Sequence, residues 1–287
     1  MSRVATTQSG SFIFIAHSGF GQTMTLLQQL LIAIVQGITE FLPISSSGHL
    51  ILIPYLTDLP DQGPLIDVAV HIGSLLAIII YFRKDVMGLA RGGFATVGIG
   101  NDPEQRKLFL WVLAGTIPAV AAGLFLKMGG YMEGFRTTDL VAVNLIVFGL
   151  LLGAADYWGK QTKSYEDLTL RDAILVGIAQ AMALIPGTSR SGATMTAARA
   201  LGYSRFEAAR FSFLLAIPAV AGAGLLAAFD LAELSTQMQM DALLTGAFTF
   251  VAALLTMVFL MNFLRKASML IFVVYRVALG CALLAIF

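Results

Sequence analysis

The chain has 287 residues, 57% of them hydrophobic and only 12% charged; an average soluble domain carries about 25% charged residues. Polar groups are too few to cover a soluble fold of this size. A net charge of +1 offers no basic face to a nucleic acid, and the single cysteine, Cys281, excludes an internal disulfide and reads as an inert helix residue.

In chain order, residues 1–23 contain the apolar run FIFIA, too short for a signal peptide's hydrophobic region and without a clear cleavage site. They are expected to be a disordered extension, with Met24 an equally natural start. Residues 24–56 are apolar but broken at Leu42-Pro43-Ile44-Ser45-Ser46-Ser47-Gly48. Three runs near the length of a membrane helix follow at 66–82, 108–126 and 139–158. Residues 172–201 are broken again, at Ile185-Pro186-Gly187-Thr188-Ser189-Arg190-Ser191-Gly192. Three more runs lie at 207–229, 241–263 and 268–287.

The fold class is therefore an all-α polytopic membrane protein with about six transmembrane helices and two re-entrant helical hairpins. A broken helix in hydrocarbon exposes backbone groups, which only protein or a water-filled cavity can satisfy. Paired breaks in the two halves point to hairpins at a central site. Aligning Pro43 with Pro186, Ser45 with Thr188 and Ser46 with Ser189 gives an internal repeat: 24–126 and 139–287 within one intramembrane domain, 24–287. The loops 83–107, 159–171 and 264–267 carry Lys and Arg and are placed in the cytoplasm, whereas 57–67 and 230–241 carry acids without a base and are placed outside. Threading the spans through these sides gives halves of inverted topology whose hairpin loops meet near the midplane.

Chemistry concentrates in the two breaks. Gln36 and Glu40 are four residues apart and share one helix face. A carboxylate in an apolar helix is costly and marks a candidate site. Ser45, Ser46 and Ser47 supply hydroxyls, and Ser47 is placed to cap a helix beginning at Gly48. His49, beside them, is a candidate acid, base or nucleophile. In the second loop, Arg190 lies among Ser189, Ser191 and Thr194. Guanidinium is a permanently charged fork suited to phosphate oxygens, and helix N-termini favour anions. One carboxylate, one imidazole, several hydroxyls and one arginine inside a membrane suit phosphoryl transfer from a lipid.

The runs QGITEFLPISSSGH and PGTSRSGAT resemble the two signature motifs of the undecaprenyl-diphosphate phosphatase family, the bacitracin-resistance proteins. The similarity extends over 24–287 and includes Gly73–Ala77 and Phe211–Pro218. The resemblance implies hydrolysis of undecaprenyl diphosphate to undecaprenyl phosphate and inorganic phosphate, which recycles a cell-wall carrier lipid. It also implies a divalent cation, Ca2+ or Mg2+, and a site open to the outer face of the bacterial cytoplasmic membrane. By this resemblance Glu40, Ser46, His49 and Arg190 are catalytic. Gln36, Ser45, Ser47, Ser189, Ser191 and Thr194 bind substrate, and Glu40 with Gln36 is the candidate metal pair. Many members carry glutamate at the position of Gln36, and an amide cannot act as a base, which weakens a two-carboxylate metal site.

Ser46 is the favoured nucleophile, with Glu40 and His49 as proton carriers; His49 as nucleophile is the alternative. The expected partners are the lipid diphosphate in the bilayer and, at most, further copies of the chain in a homo-oligomer. Asp67 and His71 are placed at the mouth of the site, Arg199, Glu207 and Arg210 in pairs on the cytoplasmic side, and Arg276 in the last span without a role. Broken helices in an inverted repeat also suit a carrier, so a lipid-phosphate flippase is the second reading.

Overall fold

A computed structural model describes residues 24–57, 62–131, 135, 137–230 and 235–286; the extension expected over 1–23 lies outside them. The described residues form eleven α-helices: α1 Leu26–Thr39, α2 Ser46–Leu56, α3 Gly63–Tyr81, α4 Arg83–Thr96, α5 Pro103–Met128, α6 Thr138–Trp158, α7 Leu170–Met182, α8 Arg190–Ala200, α9 Arg205–Asp230, α10 Thr236–Leu264 and α11 Leu270–Ile286. Polar residues set many of the starts. Thr25 caps α1 in a reciprocal box with Gln28, Asp102 caps α5 ahead of Pro103, and Thr137, Thr169 and Ser235 cap α6, α7 and α10.

The six expected spans correspond to α3, α5, α6, α9, α10 and α11. Four of them, α3, α5, α6 and α10, are long and apolar enough to cross a membrane; α11 is apolar but has 17 residues. The stretch 83–107, read as a loop from its charges, instead contains the 14-residue α4. Charge count alone hid an amphipathic helix: Gly88, Leu89 and Gly92 are buried, and a Cβ on Gly92 would fall 2.0 Å from the Gln105 carbonyl oxygen of α5.

Small residues let the long helices touch along their backbones, the usual way to gain dispersion contact where lipid supplies no hydrophobic drive. A Cβ on Gly73 of α3 would lie 2.3 Å from the carbonyl oxygen of Gly246 in α10, and one on Gly177 of α7 would lie 2.1 Å from that of Gly115 in α5. As α7 packs on α5, so α1 packs on α10. The buried core runs between the halves and includes Phe41 at the first break and Phe213 of α9, edge to face with centroids 5.4 Å apart.

Both breaks are built alike. Ser45 (φ 77°) and Ser189 (φ 71°) are the two non-glycine residues with left-handed φ among the described residues. Each caps the helix that follows, accepting from the N–H three residues on, Gly48 at 3.4 Å and Gly192 at 3.1 Å. Each hydroxyl also lies 3.3 Å from that of the serine two residues on, Ser47 or Ser191. This corrects two expectations. The cap of α2 is Ser45, not Ser47, and the residue that matches Ser45 as a cap is Ser189, one position away from the sequence alignment. The second loop has one more residue between proline and cap, which Gly187 takes up at φ 87°. In this register Ser46 corresponds to Arg190.

The end of α8 comes back to the start of α7. The Tyr203 hydroxyl, just past α8, donates to Asp172 in the first turn of α7 at 2.7 Å. Burial, and then the Asp172 carboxylate, push the Tyr203 phenol above its usual range, so it stays a donor. Arg199 at the end of α8 is fully buried, and its Nε and that of Arg205 lie 3.2 Å and 2.6 Å from Asp156 Oδ1 at the end of α6. Arg210 pairs with Asp85 and Glu207. The pairing expected of Arg199, Glu207 and Arg210 is therefore present.

Candidate active site

The first break ends α1 with Glu40 as its C-cap and opens α2 with Ser46 as its first residue. The second opens α8 with Arg190. The structure brings these three together. Arg190 Nη2 donates to Glu40 Oε1 at 2.7 Å, and Ser46 Oγ donates to Glu40 Oε2 at 2.7 Å. Gln36, fully buried one turn before Glu40, donates Nε2 to Oε2 at 3.1 Å. Glu40 is 7% exposed and the Arg190 side chain 17%, so the pair is shielded from bulk water and strong for it. The arrangement orients a hydroxyl proton toward a carboxylate beside a fixed cation. Two polar atoms of the cluster, Arg190 Nη1 and Gln36 Oε1, are buried without a hydrogen-bond partner.

The remaining second-loop residues fix the frame. Ser191 donates to the Leu42 carbonyl at 3.1 Å and so ties the loops together. Thr194 Oγ1 lies 2.7 Å from the Arg190 carbonyl and 2.6 Å from the Ser212 hydroxyl of α9. Ser45 and Ser189 spend their hydroxyls on caps, and Ser47 is exposed.

His49 stands apart from the carboxylate. Its Nδ1 is 2.7 Å from the Ser45 carbonyl, and its Nε2 is 2.6 Å from the Tyr275 hydroxyl, with the two rings stacked. A carbonyl only accepts, so Nδ1 carries hydrogen, and a neutral ring takes the Tyr275 proton on Nε2. Among the described residues the imidazole nearest Glu40 is instead His71, whose Nε2 lies 4.0 Å from Oε2 while Nδ1 donates to the Asp67 carbonyl at 2.6 Å.

Arg276 is the residue whose place sequence reasoning missed. It is fully buried, and its guanidinium reaches five carbonyl oxygens: Pro43 of the first loop (3.2 Å), Gly187 (3.0 Å) and Thr188 (2.9 Å) of the second, and Asn144 (3.3 Å) and Leu145 (3.2 Å) of α6. Gly149 and Gly192 leave it room; a Cβ on Gly192 would fall 2.6 Å from Nη1. It satisfies the backbone that the breaks expose. The signal was available, because a lone arginine in an apolar span is as costly as Arg190. Tyr275 and Asn144, which donates to the Pro186 carbonyl at 2.9 Å, carried no such signal.

A divalent cation resident on Glu40 and Gln36 does not fit these donors. Oε2 already accepts two hydrogen bonds, and Oε1 faces a guanidinium 2.7 Å away. Gln36 turns its NH2 toward the carboxylate, the only orientation that pairs donor with acceptor.

The fold and the cluster define a multi-pass helical membrane protein with a buried hydroxyl–carboxylate–guanidinium site. The family model for bacitracin resistance protein BacA matches residues 29–282, and the chain belongs to that family. It is 64% identical over 285 residues to a protein of Erythrobacter litoralis named undecaprenyl-diphosphatase, covering 92% of this chain and 100% of the relative. Proteins of the same name from Ruegeria pomeroyi and Alteromonas mediterranea are 48% and 49% identical, covering 92% and 91% of this chain and 99% and 98% of theirs.

Proposed function

We propose that this protein is an undecaprenyl-diphosphate phosphatase, releasing inorganic phosphate and undecaprenyl phosphate within the bilayer. The observation that carries the reading is the Ser46–Glu40 hydrogen bond beside an arginine whose Nη1 amino group is free. Ser46 Oγ attacks the distal phosphorus while its proton passes to Glu40 Oε2. The Oγ–P bond forms, and the bond from phosphorus to the bridging oxygen breaks. Undecaprenyl phosphate leaves as an anion that needs no proton. A water oxygen then bonds to the phosphorus of the phosphoserine as the P–Oγ bond breaks; Glu40 returns its proton to Ser46 Oγ, one water proton passes to solvent, and inorganic phosphate leaves. Arg190 holds Glu40 by Nη2 and offers Nη1 to a phosphoryl oxygen, where charge is redistributed in the transition state. The bonding of His49 to Ser45 and Tyr275 favours Ser46 over His49 as nucleophile and gives His49 the task of bracing the strained cap.

The architecture that supports this reading is one intramembrane unit over 24–287, in which two re-entrant hairpins enter from opposite sides. The like-built caps, the matching packing of α1 on α10 and α7 on α5, and the return of α8 to the start of α7 favour the inverted repeat. The family resemblance supports the bacterial cytoplasmic membrane, and the distribution of Lys and Arg among the loops favours a site that opens outward past Asp67 and His71. A carrier of lipid phosphate would use Arg190 but has no work for a serine hydrogen-bonded to a carboxylate.

The test is phosphate release from undecaprenyl diphosphate by the purified chain, beside Ser46→Ala and His49→Ala. Release that Ser46→Ala abolishes and His49→Ala only reduces supports the assignment. Full release by Ser46→Ala would hand the attack to another group.

A further inference from the structure

The site's donors have a consequence for the cation. Calcium takes six to eight oxygen ligands and magnesium six, and both prefer carboxylate oxygens. Around Glu40 the open valences run the other way. Its oxygens already accept from Gln36 Nε2, Ser46 Oγ and Arg190 Nη2. The one lone pair left on Oε1 sits beside a guanidinium that repels a divalent charge. His71 offers a nitrogen, a poor ligand for a hard cation. No group of three or more His, Cys, Asp or Glu poised for a metal occurs among the described residues. Of the neutral oxygens beside Glu40, Ser46 Oγ is the attacking atom, which leaves Gln36 Oε1, buried and unpartnered. One amide oxygen cannot hold a hydrated divalent ion. It can touch one whose other ligands arrive with it, and a diphosphate carries several such oxygens.

We propose that the cation is part of the substrate: this chain holds no resident ion and takes the lipid diphosphate as its calcium or magnesium complex. The inference rests on the phosphatase reading and names the species its site accepts. Arg190 Nη1 meets a phosphoryl oxygen, and Gln36 Oε1 completes the shell of the incoming ion. With glutamine at position 36 the empty site avoids two adjacent buried carboxylates, which would otherwise need an ion to coexist.

Calcium chloride is titrated calorimetrically into the purified full chain in detergent, alone and with a polyprenyl methylenediphosphonate, whose bridging carbon resists cleavage. Micelles with analogue and no protein give the blank. The chain alone should show no saturable binding up to about 1 mM calcium, and calcium should tighten analogue binding at least about tenfold over EDTA. Gln36→Glu, which restores a second carboxylate one turn from Glu40, should let the chain alone bind calcium. Saturable one-to-one binding of micromolar calcium by the wild-type chain alone would overturn the inference, as would analogue affinity indifferent to calcium. Phosphate release measured on the same preparation separates these results from a failure of the phosphatase reading, which would show as no turnover with any cation.

Discussion

At the scale of single residues, the site works through a short chain of donors rather than through any one group. Ser46→Ala removes the attacking oxygen and should lower phosphate release by at least about a thousandfold. Arg190→Lys is the sharper test. An ammonium can neutralise Glu40 or meet a phosphoryl oxygen, but it lacks the planar fork that does both. Turnover should fall about a hundredfold or more despite the retained charge; near wild-type turnover would show that charge alone suffices. Arg276→Met keeps much of the volume and loses every carbonyl contact. Hydrogen bonds to a charged group contribute about 1.5–3 kcal/mol each, so thermal unfolding in detergent should shift by several degrees or more, with activity lost below the transition. An unchanged melting temperature would mean that water replaces the guanidinium.

At the scale of elements, helices approach closely enough that one methyl group is felt. Gly177→Ala places a Cβ 2.1 Å from the Gly115 carbonyl oxygen and must push α7 from α5. Overpacking of this kind costs about 1–3 kcal/mol and should lower the melting temperature while Gly222→Ala, where nothing lies within 4 Å, leaves it alone. Equal effects from the two would deny the close contact. The elements also show what the amino-acid sequence makes legible. Apolar length located α3, α5, α6, α9, α10 and α11 to within about five residues at each end, and the cost of a charge in hydrocarbon marked Glu40 and Arg190, which the fold pairs across 150 positions. Three things were hidden. The loop register turned on one extra residue absorbed at Gly187, a left-handed turn that residue pairing by eye cannot see. Helix α4 was masked because its charges sit on an amphipathic helix rather than in a loop. The role of Arg276 needed the distant carbonyls that only the assembled fold brings to it.

At the scale of the whole molecule, the proposed topology makes a prediction of its own. In a Cys281→Ser background, a cysteine at Asn101 should react with an impermeant maleimide only from the cytoplasmic side, and one at Thr236 only from outside. Labelling of both from one face would refute the inverted arrangement. Asp241 of α10 ties the second half to the first, accepting from Met24 N and Gln29 Nε2 at the start of α1 (both 3.1 Å), while Asp156 gathers α6, α8 and α9 within the second half. Between these ties, Arg276 of α11 clasps both loops. The ribosome delivers Arg276 only after every other part of the site has been made. Until α11 follows them into the bilayer, the carbonyls of Pro43, Gly187 and Thr188 lack the guanidinium that holds the two loops together.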